Sequence, residues 1–157
     1  MRWARANRSS CGRIRRRPVP LPGRAALPRA RYVLVDVLED DPDWAEWSIG
    51  QLRAQAQVHE LAINPIIYAE LSLAFATVEA LDTVVDRMRL TMADVPRPAL
   101  FLAGQAFLRY RRAGGHKSNV LSDFFIGAHA AVARCPLLTR DVQRYRAYFP
   151  TVELIAP

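Results

Sequence analysis

The sequence predicts an α/β fold, a short parallel sheet with helices packed on both faces. Three observations predict it. Short apolar runs alternate with segments of helical period, the pattern of strands joined by crossover helices. Asp41-Pro42 and Asn64-Pro65 each set a capping residue before a proline, as helices begin. One segment, FFIGAHAAVA from Phe124, is apolar on every side, as a fully buried helix should be.

The 157 residues are enough for one domain with a sizeable core. Residues 1–31 read as a tail. They hold ten of the 22 basic residues, all Arg, and none of the 15 acids. The rest of the chain is therefore net acidic, and the overall +7 belongs to the tail. A tail of this kind binds phosphate backbone or anionic lipid, or is a solvated, disordered extension. Composition favours the last. It has no apolar h-region and its prolines break any amphipathic helix, so it is neither a secretory signal nor a transit peptide. No apolar run is long enough to span a membrane. Cys11 and Cys135 give neither metal spacing nor a disulfide framework, which fits a reducing, cytoplasmic setting.

From residue 32 the elements follow in order. After Asp41-Pro42 a helix runs through DWAEWSIGQLRAQAQ, with Trp44, Trp47, Ile49 and Leu52 inward. Residues 59–63, HELAI, form a strand. Asn64-Pro65 opens a helix through IIYAELSLAF, and a third spans about Val78 to Leu90 with Leu81, Val84, Val85 and Met88 on one face. ALFLAGQAFLRYRR is a fourth, stopped at Gly114-Gly115. The buried FFIGAHAAVA helix follows, then a strand at Leu137–Thr139, a short helix from Asp141 to Tyr148, and a last strand from Val152 to Ile155.

Ligands of such folds sit beyond the carboxyl ends of the strands, so acids near strand ends are the candidates. Glu70 shares an apolar helical face with Ile66 and Leu73. Asp123 opens the buried helix, and Asp141 follows the strand LLTR. Each has an ordinary role too: a core Glu paired with Arg, a first-turn acid facing the helix dipole, an N-cap. Together they arrive at similar places in the topology, and converging carboxylates make an oxygen-ligand site for Mg²⁺ or Mn²⁺. His129, inside the apolar helix, reads as a hydrogen-bonded core residue. Tyr145, Tyr148 and Phe149 beside Arg140, Arg144 and Arg146 either stack RNA bases or are half core and half solvated face.

INPIIYAELS, LSDFFIGAHAAV and LLTRDVQRYRAYFPTVELIAP together resemble the PIN-domain family, in particular the VapC-type toxins of bacterial toxin–antitoxin pairs. The resemblance runs from about Val33 to Pro157. It implies a three-layer α/β/α fold, Mg²⁺- or Mn²⁺-dependent cleavage of RNA, a small cognate antitoxin and a homodimer. The family motifs put acidic ligands at Glu70, Asp123 and Asp141.

The family's first acid ends an apolar strand, in Asp-Thr-Asn or Asp-Ser-Asn, ahead of a Val-Leu-rich helix with a second Asp. Without gaps, Ala30-Arg31-Tyr32 occupies that place and Asp36 is the later helical Asp, a helper to the site. A rival register makes residues 32–35 the strand and Asp36 its catalytic acid. Five acids between Asp36 and Asp43 crowd the junction in either register. The ungapped register implies a degenerate first strand and impaired cleavage. The Arg/Pro/Ala composition before it looks like out-of-frame coding, so another frame upstream of codon 33 is expected to encode the missing strand. Two further readings stay open: a degenerate PIN-like protein that binds antitoxin or RNA without cutting, and a nucleic-acid binder working through the Arg tail.

Overall fold

The computed structural model describes residues 25–28, 33–117 and 120–157. Five short strands form one parallel sheet in the order β3-β2-β1-β4-β5, with β1 Ala25–Pro28, β2 Glu60–Ile63, β3 Thr91–Met92, β4 Leu137–Leu138 and β5 Leu154–Ile155. The helices are α1 Val35–Leu38, α2 Ala45–Val58, α3 Pro65–Leu71, α4 Val78–Arg87, α5 Arg97–Arg112, α6 Leu121–Ala133 and α7 Val142–Tyr148. The chain moves outward from β1 to β2 and β3, then returns past β1 to β4 and β5. Right-handed crossovers place helices of the outward and return moves on opposite faces. The switch of direction lies between β1 and β4, where such sheets open a crevice at their carboxyl ends.

The expected elements form, with corrections. Asn64 caps α3 as its Asn-Pro signal predicts, its Oδ1 accepting from Ile66 N at 3.1 Å and Ile67 N at 2.9 Å. Asp41 does not cap α2. Its Oδ1 accepts from Asp43 N and Trp44 N, both at 3.0 Å, and so closes a turn three residues ahead of the helix. Of the residues expected inward on α2, Leu52 is buried, whereas Trp44, Trp47 and Ile49 are half-buried and Ala45 and Ser48 take the inner positions. β3 was not expected; two exposed residues carry no strand period.

The domain does not begin at residue 32. Ala25–Pro28 is the central strand, pairing with β2 through Ala25 and Ala26 and with β4 through Leu27 and Pro28. Ala and Pro are poor strand formers, so nothing local marks AALP as a strand. Residues 1–24 and 29–32, including most of the expected tail, lie outside the described residues.

The core is apolar except at one edge. Phe124 of α6 lies against Phe107 and Tyr110 of α5 at centroid distances of 5.8 and 5.7 Å, and against Tyr148 and Phe149 at 5.0 and 6.1 Å. Burial of such rings contributes most of the apolar stabilisation on this face. Cys135 is buried and its thiol is pushed up to about 11 by that burial, which keeps it an unreactive core group. No helix of the described residues is long and apolar enough to cross a membrane.

Gly127 is where α6 lets α7 approach. A Cβ there would lie 2.5 Å from the Phe149 ring and 2.9 Å from that of Tyr145. Both rings belong to buried residues and have little room to give. Gly127→Ala should therefore destabilise by about 1–3 kcal/mol, despite the better helix propensity of Ala. Urea denaturation checks this; an unchanged midpoint would show that α7 shifts freely.

Candidate acidic site at the sheet switch point

Among the described residues six polar ones are buried: Asp36, Ser48, Asn64, Asp123, His129 and Thr139. Asp36 follows β1, Asn64 follows β2 directly and Thr139 follows β4, while the others are linked to groups at the same edge. The polar part of the core is thus the carboxyl edge of the sheet, where ligands of such folds sit.

Asp36 lies in α1, in the α-helical turn after two residues of wider helix, Val33 and Leu34. Residues 33–35 are therefore not a strand ending at Asp36, and the rival register falls. Asp36 is 4 % exposed. Its Oδ2 accepts from Ser48 Oγ at 2.8 Å, and its Oδ1 pairs with Arg140 Nη2 at 3.1 Å. Burial still pushes its carboxyl above the usual range, against the lowering by Ser48 and Arg140. Arg140 also lies over the Trp44 ring, 4.6 Å from its centroid.

Asp123 and Asp141 are brought together by Arg144. Asp123, in the first turn of α6, is buried and pairs with Arg144 Nη1. The same nitrogen lies 2.9 Å from Asp141 Oδ2. Asp141 is also the N-cap of α7, as its ordinary reading predicts, with Oδ1 accepting from Arg144 N at 3.2 Å; its own N donates to Thr139 Oγ1 at 3.1 Å. Glu70 is half-buried in the last turn of α3.

Three carboxylates within reach of one cation are not found in this arrangement. Among the described residues no group of three or more His, Cys, Asp or Glu is placed to hold a metal ion. The guanidinium of Arg144 bridges Asp123 and Asp141 and places a positive charge between them. As placed, Asp123 and Asp141 are turned to Arg144.

His129 is a core histidine, as expected. The oxygen of the Asn64 amide is committed to the α3 cap, so its Nδ2 faces His129 Nδ1, 3.2 Å away. Nδ1 must then accept, and the ring is neutral. The sequence did not show this pairing. Nor did it show the partners Ser48, Arg140 and Arg144, although Asp141 and Arg144 at i and i+3 on one helix are a usable signal. Tyr145 and Phe149, weighed as stacking platforms, are core residues, and Tyr148 is half-buried.

No family model matches the sequence, and no curated protein matches it. Solved structures do match. VapBC2 from Rickettsia felis bound to a DNA fragment from its promoter superposes with a TM-score of 0.65 at 20% identity, over 85% of this chain and 98% of that one. FitAcB from Neisseria gonorrhoeae gives 0.58 at 17%, over 85% and 97%. A toxin–antitoxin complex from Klebsiella pneumoniae gives 0.59 at 18%, over 84% and 97%. The chain has the PIN-domain fold. In this PIN fold the switch-point crevice holds Asp36, Asp123 and Asp141, with Asp36 paired to Arg140 and the other two sharing Arg144.

Two outcomes are expected from these contacts. Arg144→Ala strands the buried Asp123 charge. With a quarter of the Arg144 side chain exposed, the loss should sit near the low end for broken buried pairs, about 3 kcal/mol by denaturation. Added Mn²⁺ should raise the melting temperature of that variant more than that of the parent; equal shifts would show that Arg144 does not occupy the cation's place. His129 gives the second. Burial lowers its pKa from 6.5. Between the lowered value and 6.5 the unfolded chain binds the extra proton, so stability is full above about 6.5 and falls as pH drops toward the folded value. Urea midpoints between about pH 5 and 7.5 should show this slope, flattened in His129→Gln.

Proposed function

We propose that the chain is a PIN-type toxin of a toxin–antitoxin pair, acting on RNA, with its metal-dependent cleavage impaired. The observation that carries this reading is the pair Asp123 and Asp141 at the switch point of a PIN fold. The matching solved structures, which include toxin–antitoxin complexes, support a small antitoxin as partner. The sequence resemblance adds a homodimer and RNA as substrate. In this reading Glu70, Asp123 and Asp141 are the acids that Mg²⁺ or Mn²⁺ requires, with Asp36 a helper in α1. Ala30 stands where the family's first acid belongs. A divalent cation is held mainly by ligand number and charge, so one missing carboxylate should lower activity by at least about 10–100-fold.

A second reading makes this a PIN-like protein that binds antitoxin or RNA without cutting. Arg144 favours it, since a bridged acid pair holds no cation while the bridge stands.

The test is Mg²⁺- or Mn²⁺-dependent cleavage of RNA by three proteins: the chain itself, Asp36→Asn, and a version with Ala30→Asp, Arg31→Thr and Tyr32→Asn behind an apolar first strand. Weak or absent cleavage by the first two and clear cleavage by the third is expected. Robust cleavage by the chain itself would overturn the impairment. Inactivity of all three would leave only the second reading.

A further inference from the structure

Two surfaces of different character are linked to the Asp123–Arg144–Asp141 ion pair, one through Asp141 and one through Phe124, the neighbour of Asp123. On one side is a cleft of about 480 Å³ lined by Trp44, Arg140, Asp141, Val142 and Gln143. That volume admits a nucleotide-sized group. Trp44 is half-buried, with Arg140 over its ring at 4.6 Å and the edge of Trp47 at 6.1 Å. Those neighbours fix its plane. Gln143 is exposed, in the first turn of α7, and carries an amide that both donates and accepts.

On the other side is the end of α5 with the turn after it. From residue 95 to residue 122 the sequence has five basic residues and no acid. Four of them, Arg109, Arg111, Arg112 and Lys117, gather at the carboxyl end of the helix and are exposed. Arg109 and Arg111 donate to the backbone oxygens of Tyr148 and His116, at 3.5 and 3.2 Å, which holds them without neutralising them. Among the described residues no acid pairs with any of the four. The turn is fixed to the acid site: Lys117 N donates to Tyr110 Oη at 3.1 Å, and the Tyr110 ring lies 5.7 Å from Phe124, the neighbour of Asp123.

We propose that these two surfaces are one track for single-stranded RNA, with a base held in the Trp44–Gln143 cleft and phosphates on Arg109, Arg111, Arg112 and Lys117. The inference rests on the reading that the chain acts on RNA. Fixed aromatic faces beside uncompensated guanidinium groups are what a single strand requires, since every base offers a face to stack and every linkage a charge. A duplex offers the charge without the face, so the cleft selects the single strand.

The experiment is fluorescence anisotropy with a labelled single-stranded RNA about 12 nucleotides long, in EDTA so that nothing is cut, across about 50 to 200 mM salt. Arg109→Gln/Arg111→Gln/Arg112→Gln should lower the salt slope by about 2, near 0.7 for each phosphate no longer neutralised. Trp44→Ala should weaken binding by about tenfold, with most of it restored in Trp44→Phe. Gln143→Glu, at an exposed first-turn position where an acid favours the helix, should weaken binding several-fold with an unchanged melting temperature. It keeps the test decisive if Trp44→Ala does not fold. The comparison variant is Arg15→Gln/Arg16→Gln/Arg17→Gln. If that variant alone lowers the slope, or if Trp44→Ala and Gln143→Glu bind as the parent does, the track is wrong while RNA remains the ligand. If the parent binds no RNA, the track and the RNA reading fail together.

Discussion

Burying a carboxylate requires a counter-charge, and among the described residues one short segment supplies it to both Asp36 and Asp123. Arg140 and Arg144 lie four residues apart across the junction of β4 and α7. Arg140 reaches back to Asp36 in α1, and Arg144 reaches across to Asp123 in α6 while holding Asp141 on its own helix. Elements far apart in sequence are thereby joined where the strands end. The same segment carries Thr139, whose backbone N donates to Ile155 O at 2.9 Å in the pairing with β5. Sheet edge and acid cluster are fixed together.

The consequence for chemistry is a site held closed by its own side chains. Asp123 and Asp141 are close enough to share one guanidinium nitrogen, so they are close enough to repel strongly without it. A fold supplies the crevice, and the residues in it decide what happens there. In this chain they decide for an internal ion pair. The neutral half of the same edge is organised differently. Asn64 spends its oxygen on the α3 cap and turns its nitrogen to His129, so a single side chain orders a helix start and fixes a buried ring.

The aromatic layer of α5, α6 and α7 connects this edge to the surface. Phe124 stands next to Asp123 and is surrounded by Phe107, Tyr110, Tyr148 and Phe149. Gly127, one helical turn on, makes room for Phe149. Core packing therefore sets where the basic end of α5 sits relative to the acids, although the innermost rings, Phe124 and Phe149, are buried too deeply to touch a ligand.

The sequence by itself determined the helices from α2 onward, β2, β4 and β5, the paired cap at Asn64-Pro65, the buried character of α6, and the places of Asp123 in the first turn of α6 and Asp141 at the cap of α7. These are local properties: a period, a cap or a run of apolar residues acts within a few positions. It did not determine β1. Ala25–Pro28 has no strand propensity, and it becomes the central strand because β2 and β4 need a partner between them. Nor did it determine the state of the acids. Position near strand ends pointed to Glu70, Asp123 and Asp141, and the family resemblance added Asp36, but which cation compensates them depends on side chains that meet only after folding. In the sequence Arg140 and Arg144 read as part of a strip that either meets RNA or is half core and half solvated face. Tertiary structure turned both inward, because a buried carboxylate gains more from a guanidinium beside it than that guanidinium gains from water.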